Sequence, residues 1–148
     1  MPTSAGATAD PIAETAAIRS YHAHIYFDPQ ATRGAAAELR QHIGEHFSVQ
    51  LGRWHDVPVG PHSSAMYQVA FAVETFAAFV PWLMLNRRGL DVLVHPNTLA
   101  PHDDHVHHAL WLGEKLPLRP EVLPVRIEEA DESQVVPNTT PTRSAPQA

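Results

Sequence analysis

Cysteine is absent from this 148-residue chain. Disulfides and thiolate metal sites are therefore excluded, and a cytoplasmic location is the expectation. Any metal must be held by His, Asp or Glu. No Lys/Arg cluster is present and the formal net charge is −6, so nucleic acid is not an expected partner. No apolar run approaches the roughly 20 residues that span a bilayer, and no membrane partner is expected. The N-terminus has no basic region followed by an apolar one, so no secretory signal is expected either. Gly-x-Gly-x-x-Gly, Walker and Gly-x-Ser-x-Gly patterns are also missing. That removes the usual sequence basis for dinucleotide, nucleoside triphosphate or serine-hydrolase chemistry. The length suits one domain with a real core.

Histidine is what the chain has in excess. Eleven occur, at His22, His24, His42, His46, His55, His62, His95, His102, His105, His107 and His108. They do not form a terminal tag, and such a set suits imidazole-binding metals such as Fe, Zn, Cu or Ni. The most telling stretch is Tyr21-His22-Ala23-His24-Ile25-Tyr26-Phe27. Strand side chains alternate faces, so Tyr21, Ala23, Ile25 and Phe27 point one way and His22, His24 and Tyr26 the other. Two imidazoles on one strand face, with Cα atoms roughly 7 Å apart, can share an ion.

Taken in order, residues 1–17 read as a disordered leader. Ile18–Phe27 reads as a strand ended by Asp28-Pro29. Ala31–Phe47 reads as a helix with Thr32 as N-cap. Its buried stripe is Ala36, Leu39, Ile43 and Phe47, and Glu38, Arg40, Gln41 and Glu45 form its solvated face. His42 and His46 stand one turn apart on that helix and could bind a metal, but with no third ligand nearby in sequence a wet surface explains them better. Ser48–Val57 is a second strand bent or bulged at Gly52. Ala65–Val73 is a third, with Tyr67, Val69, Phe71 and Val73 facing the core. Thr75–Arg88 is a second helix with a stripe of Phe76, Phe79, Val80 and Leu83, widened by Trp82 and Met84. Pro81 should kink or break it, and Gly89 should stop it. Leu90–His95 is a fourth strand. A short helix capped by Asp103 or Asp104 is expected to run to Leu112, and Val122–Ile127 offers an edge strand. The domain is expected to cover residues 18–120, followed by a Pro-rich, mostly disordered tail over 121–148.

Strand–helix–strand–strand–helix–strand is the ferredoxin-like split β-α-β order. It predicts an α+β sandwich: a four-stranded antiparallel sheet with both helices on one face. The fourth strand then lies beside the first. The open face carries His22, His24, Tyr26, Met66, Gln68, Leu93 and His95, a set too apolar and too rich in histidine for plain surface. Covering it with a second copy would give a homodimeric α/β-barrel assembly. The topology brings His95 near His22 and His24, a three-imidazole set that leaves metal positions open. His62 could join it as ligand or as acid/base, and His105, His107 and His108 could fold over the same mouth, although a solvated loop explains these last equally well. Arg53 offers a fork suited to a substrate carboxylate, although a surface arginine explains it better.

Several stretches together resemble the DOPA 4,5-dioxygenase family of fungal-type pigment enzymes and their bacterial relatives. They are Tyr21–Phe27, Gly60-Pro61-His62, Val80–Arg87, Val94-His95-Pro96-Asn97-Thr98, Asp104-His105 and Trp111-Leu112-Gly113. The resemblance covers roughly Ser20 to Leu118, the domain bounded by the expected disordered ends. It implies a ferredoxin-like dimer and extradiol cleavage of a catechol such as L-DOPA by a non-haem metal. Fe(II) is expected, with another divalent ion such as Zn as alternative occupant. On that reading His22, His24 and His95 hold the metal, and His62 and His105 are the catalytic acid/base or orienting groups. Tyr26, Arg53 and Gln68 are the candidate substrate contacts. Two departures fall at the expected pocket mouth: Ser63 stands where the family commonly has proline, and Leu99–Asp103 replaces a simpler loop. The rival readings are a non-enzymatic dimeric barrel binding a small aromatic ligand with a divalent metal, and a cofactor-independent oxygenase on the same scaffold.

Overall fold

Tyr21, Ala23 and Ile25 do alternate with His22, His24 and Tyr26 along β1 (Ser20–Tyr26), and every residue of this strand but Tyr21 is buried. The computed structural model describes residues 11–128. The chain continues through α1 (Arg33–His46), β2 (Gln50–His55), β3 (Met66–Ala72), α2 (Phe76–Asn86), β4 (Asp91–Asn97), α3 (Pro101–Val106) and β5 (Leu110–Leu112), with short 3-10 turns at Thr15–Ala17, Val73–Thr75 and Pro120–Val122. One sheet results, in the order β2-β3-β1-β4-β5, and all its pairs are antiparallel. The first and third strands are central and the fourth lies beside the first, as expected.

Both helices cover one face. Ala36, Leu39 and Ile43 of α1 and Phe79, Val80 and Leu83 of α2 pack on Ala23, Ile25, Tyr67, Val69, Phe71, Val92 and Val94. Burying a side chain of this size is worth about 1.5–3 kcal/mol, so this layer carries most of the stability. Arg40 does not stay on the solvated face of α1: it lies 5.1 Å over the Tyr67 ring and donates to the Gly52 carbonyl at 2.8 Å. The predicted bulge is present, as a register shift between Leu51 and Trp54. There Gly52 approaches β3 so closely that a Cβ would stand 3.1 Å from the Gln68 carbonyl oxygen. Gly89 ends the α2 region with φ +76°, a conformation that favours glycine.

Several expectations need correction. The sheet has five strands, not four. The helix expected to reach Leu112 stops at Val106, where the N–H groups of His107 and His108 both bond the Asp103 carbonyl. Leu110–Leu112 then pairs with Val92–Val94 as β5, shielding an edge of β4 that would otherwise be open. Val122–Ile127 forms no strand; Pro120 and Pro124 remove donors, and Ile127 N–H bonds the Leu99 carbonyl instead. α2 runs on through Pro81 without a break. Met84 is 54% and Val73 43% exposed, because Val73 has left β3 for the 3-10 turn. Thr32 stands at the N-cap of α1, but its hydroxyl accepts from Asp28 N–H rather than from the helix. Residues 15–17 of the expected leader form a turn. The rest of the leader before residue 11, and the tail from residue 129, lie outside the described residues.

The second face of the sheet is not left open. Tyr26, Met66 and Leu93 form a small core with Val59, Ala109, Trp111, Leu116 and Leu118. Two segments of the same chain, 56–65 and 98–118, fold across the face and are tied to each other. Ser63 Oγ donates to the Pro117 carbonyl at 2.6 Å, Arg119 N–H to Pro61 O at 2.7 Å, and His62 forms a bridge with Leu118. One chain thus buries all of the residues expected on the open face but Gln68 by itself, and the face needs no second copy to cover it.

Candidate metal centre

The ladders of β1 fix the site. His22 pairs with His95, and His24 stands between Leu93 on β4 and Gln68 on β3. His22, His24 and His95 each offer a nitrogen within 4.8 Å of the other two, and their exposures are 8%, 3% and 1%. The covering segments add two more imidazoles. The His62 ring lies 4.2 Å from that of His24, tilted by 40°, and the His105 ring 3.8 Å from that of His95, tilted by 35°. His24, His62 and His105 form a second set with donors within 4.8 Å. His24 is thus common to both sets.

Hydrogen bonds decide which nitrogens are free. A carbonyl can only accept, so His95 Nδ1–H donates to Pro96 O at 2.9 Å and His105 Nδ1–H to Pro101 O at 2.7 Å. In the neutral ring each Nε2 is then left with its lone pair. Nδ1–H held by a backbone carbonyl is the ordinary arrangement of a metal-ligating histidine. The Nε2 atoms of His24 and His95 are 3.1 Å apart; two imidazoles sharing an ion at about 2.1 Å stand roughly 3.0–3.4 Å apart. His24 Nδ1 is buried without a hydrogen-bond partner; an ion held through Nε2 leaves Nδ1–H for an ordered water to accept. The residues therefore fit a divalent, imidazole-binding metal.

Burial sets the charge state. Desolvation first, and then repulsion from His105 and His62, pull the His22 pKa down to about 3. Desolvation, followed by His105 and His55, brings His62 to about 3. His24 and His95 are lowered well below the usual range, again chiefly by burial and then by neighbouring histidines. His105 is lowered mainly by burial, while its bond to Pro101 and the Asp104 carboxylate oppose the shift. Five imidazoles are thus neutral at pH 7, the form that ligates. Burial pushes the Tyr26 pKa up, so its hydroxyl stays protonated.

Of the remaining candidates, Tyr26 joins the cluster through its hydroxyl, 2.7 Å from His62 Nδ1. Gln68 is half-buried opposite His24. Arg53 is not brought to the site: it is exposed on β2, with β3 between it and β1. Sequence reasoning missed the supporting roles of Asp104 and Trp111. Asp104 does not cap its helix. Its carboxylate, 1% exposed, accepts from Thr98 N–H and Thr98 Oγ1, both at 2.8 Å, and faces His108 Nδ1 at 3.2 Å. That ties α3, with His105, to the end of β4. Trp111 stacks on Tyr26 at 5.7 Å. The only signal for either was its place in a motif.

Two spaces adjoin the site. Beside His22, His95 and His105 is a volume of about 20 Å³, on the order of one water and too small for a ring. A cavity of about 510 Å³ at the far end of β1 has Tyr26, Asp28, Ser63, Ser64, Asp91 and Leu116 in its wall. That size lies in the range of small-molecule pockets.

Fold and site together define an α+β protein with a buried five-histidine centre able to hold a divalent metal. The chain belongs to the Dopa 4,5-dioxygenase family, whose profile matches residues 21–122. It is 36% identical over 120 residues to the DOPA 4,5-dioxygenase of Amanita muscaria, covering 76% of this chain and 53% of that one. It is 40% identical over 110 residues to an uncharacterised 21.2 kDa protein of Botryotinia fuckeliana, covering 67% of this chain and 60% of the relative. The chain thus spans little more than half the length of these curated relatives. A crystal structure of a candidate dioxygenase from Nostoc punctiforme is similar at a TM-score of 0.74 and 52% identity, covering 75% of this chain and 96% of that one. Among the described residues, no helix is long and apolar enough to cross a membrane.

Proposed function

We propose that this chain is an extradiol ring-cleaving dioxygenase that acts on a catechol, with L-DOPA the first substrate to test, at a non-haem Fe(II) held by histidine. The observation that carries the reading is the convergence of His22, His24 and His95, three buried neutral imidazoles with donor nitrogens within 4.8 Å of one another. Family membership supports the dioxygenase class. On this reading His22, His24 and His95 hold the metal. Fe(II), when bound, would supply the redox chemistry that joins O₂ to the ring.

The protein's own groups do the rest. His62, neutral and held at Nδ1 by Tyr26, is placed to take the proton that a catechol loses, and a catecholate beside it would raise its low pKa. His105 lies against His95 and bounds the reacting space. Tyr26 reaches from the 510 Å³ cavity to His62, so a substrate arriving from that side meets a hydroxyl that orients the base. Tight covering of the face excludes water from the imidazoles, which strengthens every charge interaction among them. The proposal includes the homodimer, for which the exposed Met84 and Leu85 of α2 offer apolar surface; the mass in solution checks it.

The test is anaerobic reconstitution with Fe(II), then L-DOPA and air, with visible absorbance and O₂ uptake recorded together. A yellow product with matching oxygen consumption is expected. No turnover of L-DOPA or a panel of simple catechols, with iron bound, overturns the proposal in favour of a binding module. Uptake that persists after chelation overturns the role of the metal.

A further inference from the structure

A second group of metal-ligating side chains lies on the outside of the helical layer, on a different element from the histidine centre. His42, Glu45 and His46 occupy the last turns of α1, and each offers a ligand atom within 4.8 Å of the other two. The spacing has a simple cause. Residues three and four apart share one helix face, so His-x-x-Glu-His puts two imidazoles and a carboxylate on the same side. Two imidazoles at this spacing on a helix grip one zinc ion in a class of zinc peptidases.

The local contacts prepare these groups for a cation. His46 Nδ1–H donates to the His42 carbonyl at 2.7 Å, which fixes the tautomer and leaves Nε2 with its lone pair. The His46 ring is braced against Trp82, with centroids 5.7 Å apart. Glu45 Oε2 accepts from Gln41 Nε2 at 3.1 Å, and its Oε1 stands 4.0 Å from His42 Nδ1. The group also sits at the C-terminal end of a 14-residue helix, where the unpaired carbonyls favour a positive charge.

We propose that His42, Glu45 and His46 form a peripheral binding site for a divalent transition metal, separate from the buried centre. Two imidazoles and one carboxylate suit Zn²⁺, Ni²⁺ or Cu²⁺, with Cu²⁺ held most tightly of the series. The ion keeps positions open to water, because the site is on the surface and only three protein ligands reach it. No catalytic role is assigned to it.

The experiment is a titration of metal-stripped full-length chain with Zn²⁺, alongside the double variant His42→Ala/His46→Ala and the single variant Glu45→Gln. The double variant should bind one equivalent fewer than the parent, with unchanged circular dichroism and unchanged turnover by the Fe(II)-loaded protein. Glu45→Gln should keep that equivalent at weaker affinity. With Cu²⁺ raised beyond the amount that fills the buried centre, paramagnetic broadening of amide resonances should include residues around Gln41–Phe47 and disappear from them in the double variant. Equal stoichiometry in parent and double variant, or broadening that never reaches this helix, overturns the proposal. Neither result depends on how many ions the buried centre takes.

Discussion

Lowering the pH should unfold the metal-free protein well before ordinary acid denaturation begins. In the unfolded chain each histidine takes up a proton near its ordinary pKa of 6.5, whereas in the fold His22 and His62 resist protonation down to about 3. The unfolded state therefore binds more protons between these limits, and stability falls as the pH falls. At pH 5 each of the two residues costs about 2 kcal/mol relative to pH 8, or about 4 kcal/mol together. His24 and His95 are lowered in the same direction and add to the loss. A domain has only about 5–15 kcal/mol to lose. Urea midpoints of the chelator-treated protein, measured from pH 8 to pH 5, should drop steeply below about pH 6.5. Saturating Zn²⁺ should hold the midpoint up at the higher end of that range, until protons compete for the ligands. A midpoint flat from pH 8 to pH 5 in the metal-free protein would refute the reasoning. It would mean that the imidazoles are wet or already paired with charge.

Three further outcomes are expected. His24→Ala removes the residue shared by both candidate ligand sets; metal content should fall about tenfold or more, and ring cleavage with it. If elemental analysis finds the metal retained and turnover survives, the site assignment is wrong. Asp104→Ala leaves Thr98 N–H and Oγ1 without their acceptor and should cost about 3 kcal/mol. A urea midpoint within experimental error of the parent would deny Asp104 its anchoring role. Tyr26→Phe should leave metal content alone, cost about 1 kcal/mol from the lost bond to His62, and lower kcat while shifting its pH profile; an unaltered profile would separate Tyr26 from the chemistry.

Alternation along β1 was the most legible feature of the sequence. Period two in Tyr21–Phe27 placed its histidines on one face, and the element order placed His95 beside them, so the three-histidine set followed without coordinates. The helical layer was legible too, because stripes such as Ala36, Leu39 and Ile43 repeat at helical spacing. What the sequence hid was the covering of the other face. β5 has three residues, too few for a periodic signal, and its pairing is decided by the free edge of β4. The ties of Ser63 to Pro117 and of Thr98 to Asp104 join loops without regular pattern. Arg53 was a candidate for its guanidinium fork alone, and no pattern tied it to the histidine face; it stands exposed on β2, with β3 between it and β1.

The five histidines of the centre come from two kinds of scaffold. Three stand on adjoining strands of one hydrogen-bonded sheet, and two arrive on segments laced together by a few polar contacts. Changes in those segments, including insertions near Leu99–Asp103, can reshape the mouth of the site while the spacing of His22, His24 and His95 stays fixed by the backbone ladder. The spacing of the three strand histidines and the shape of the space around them are thus set by separate parts of the chain and can change independently.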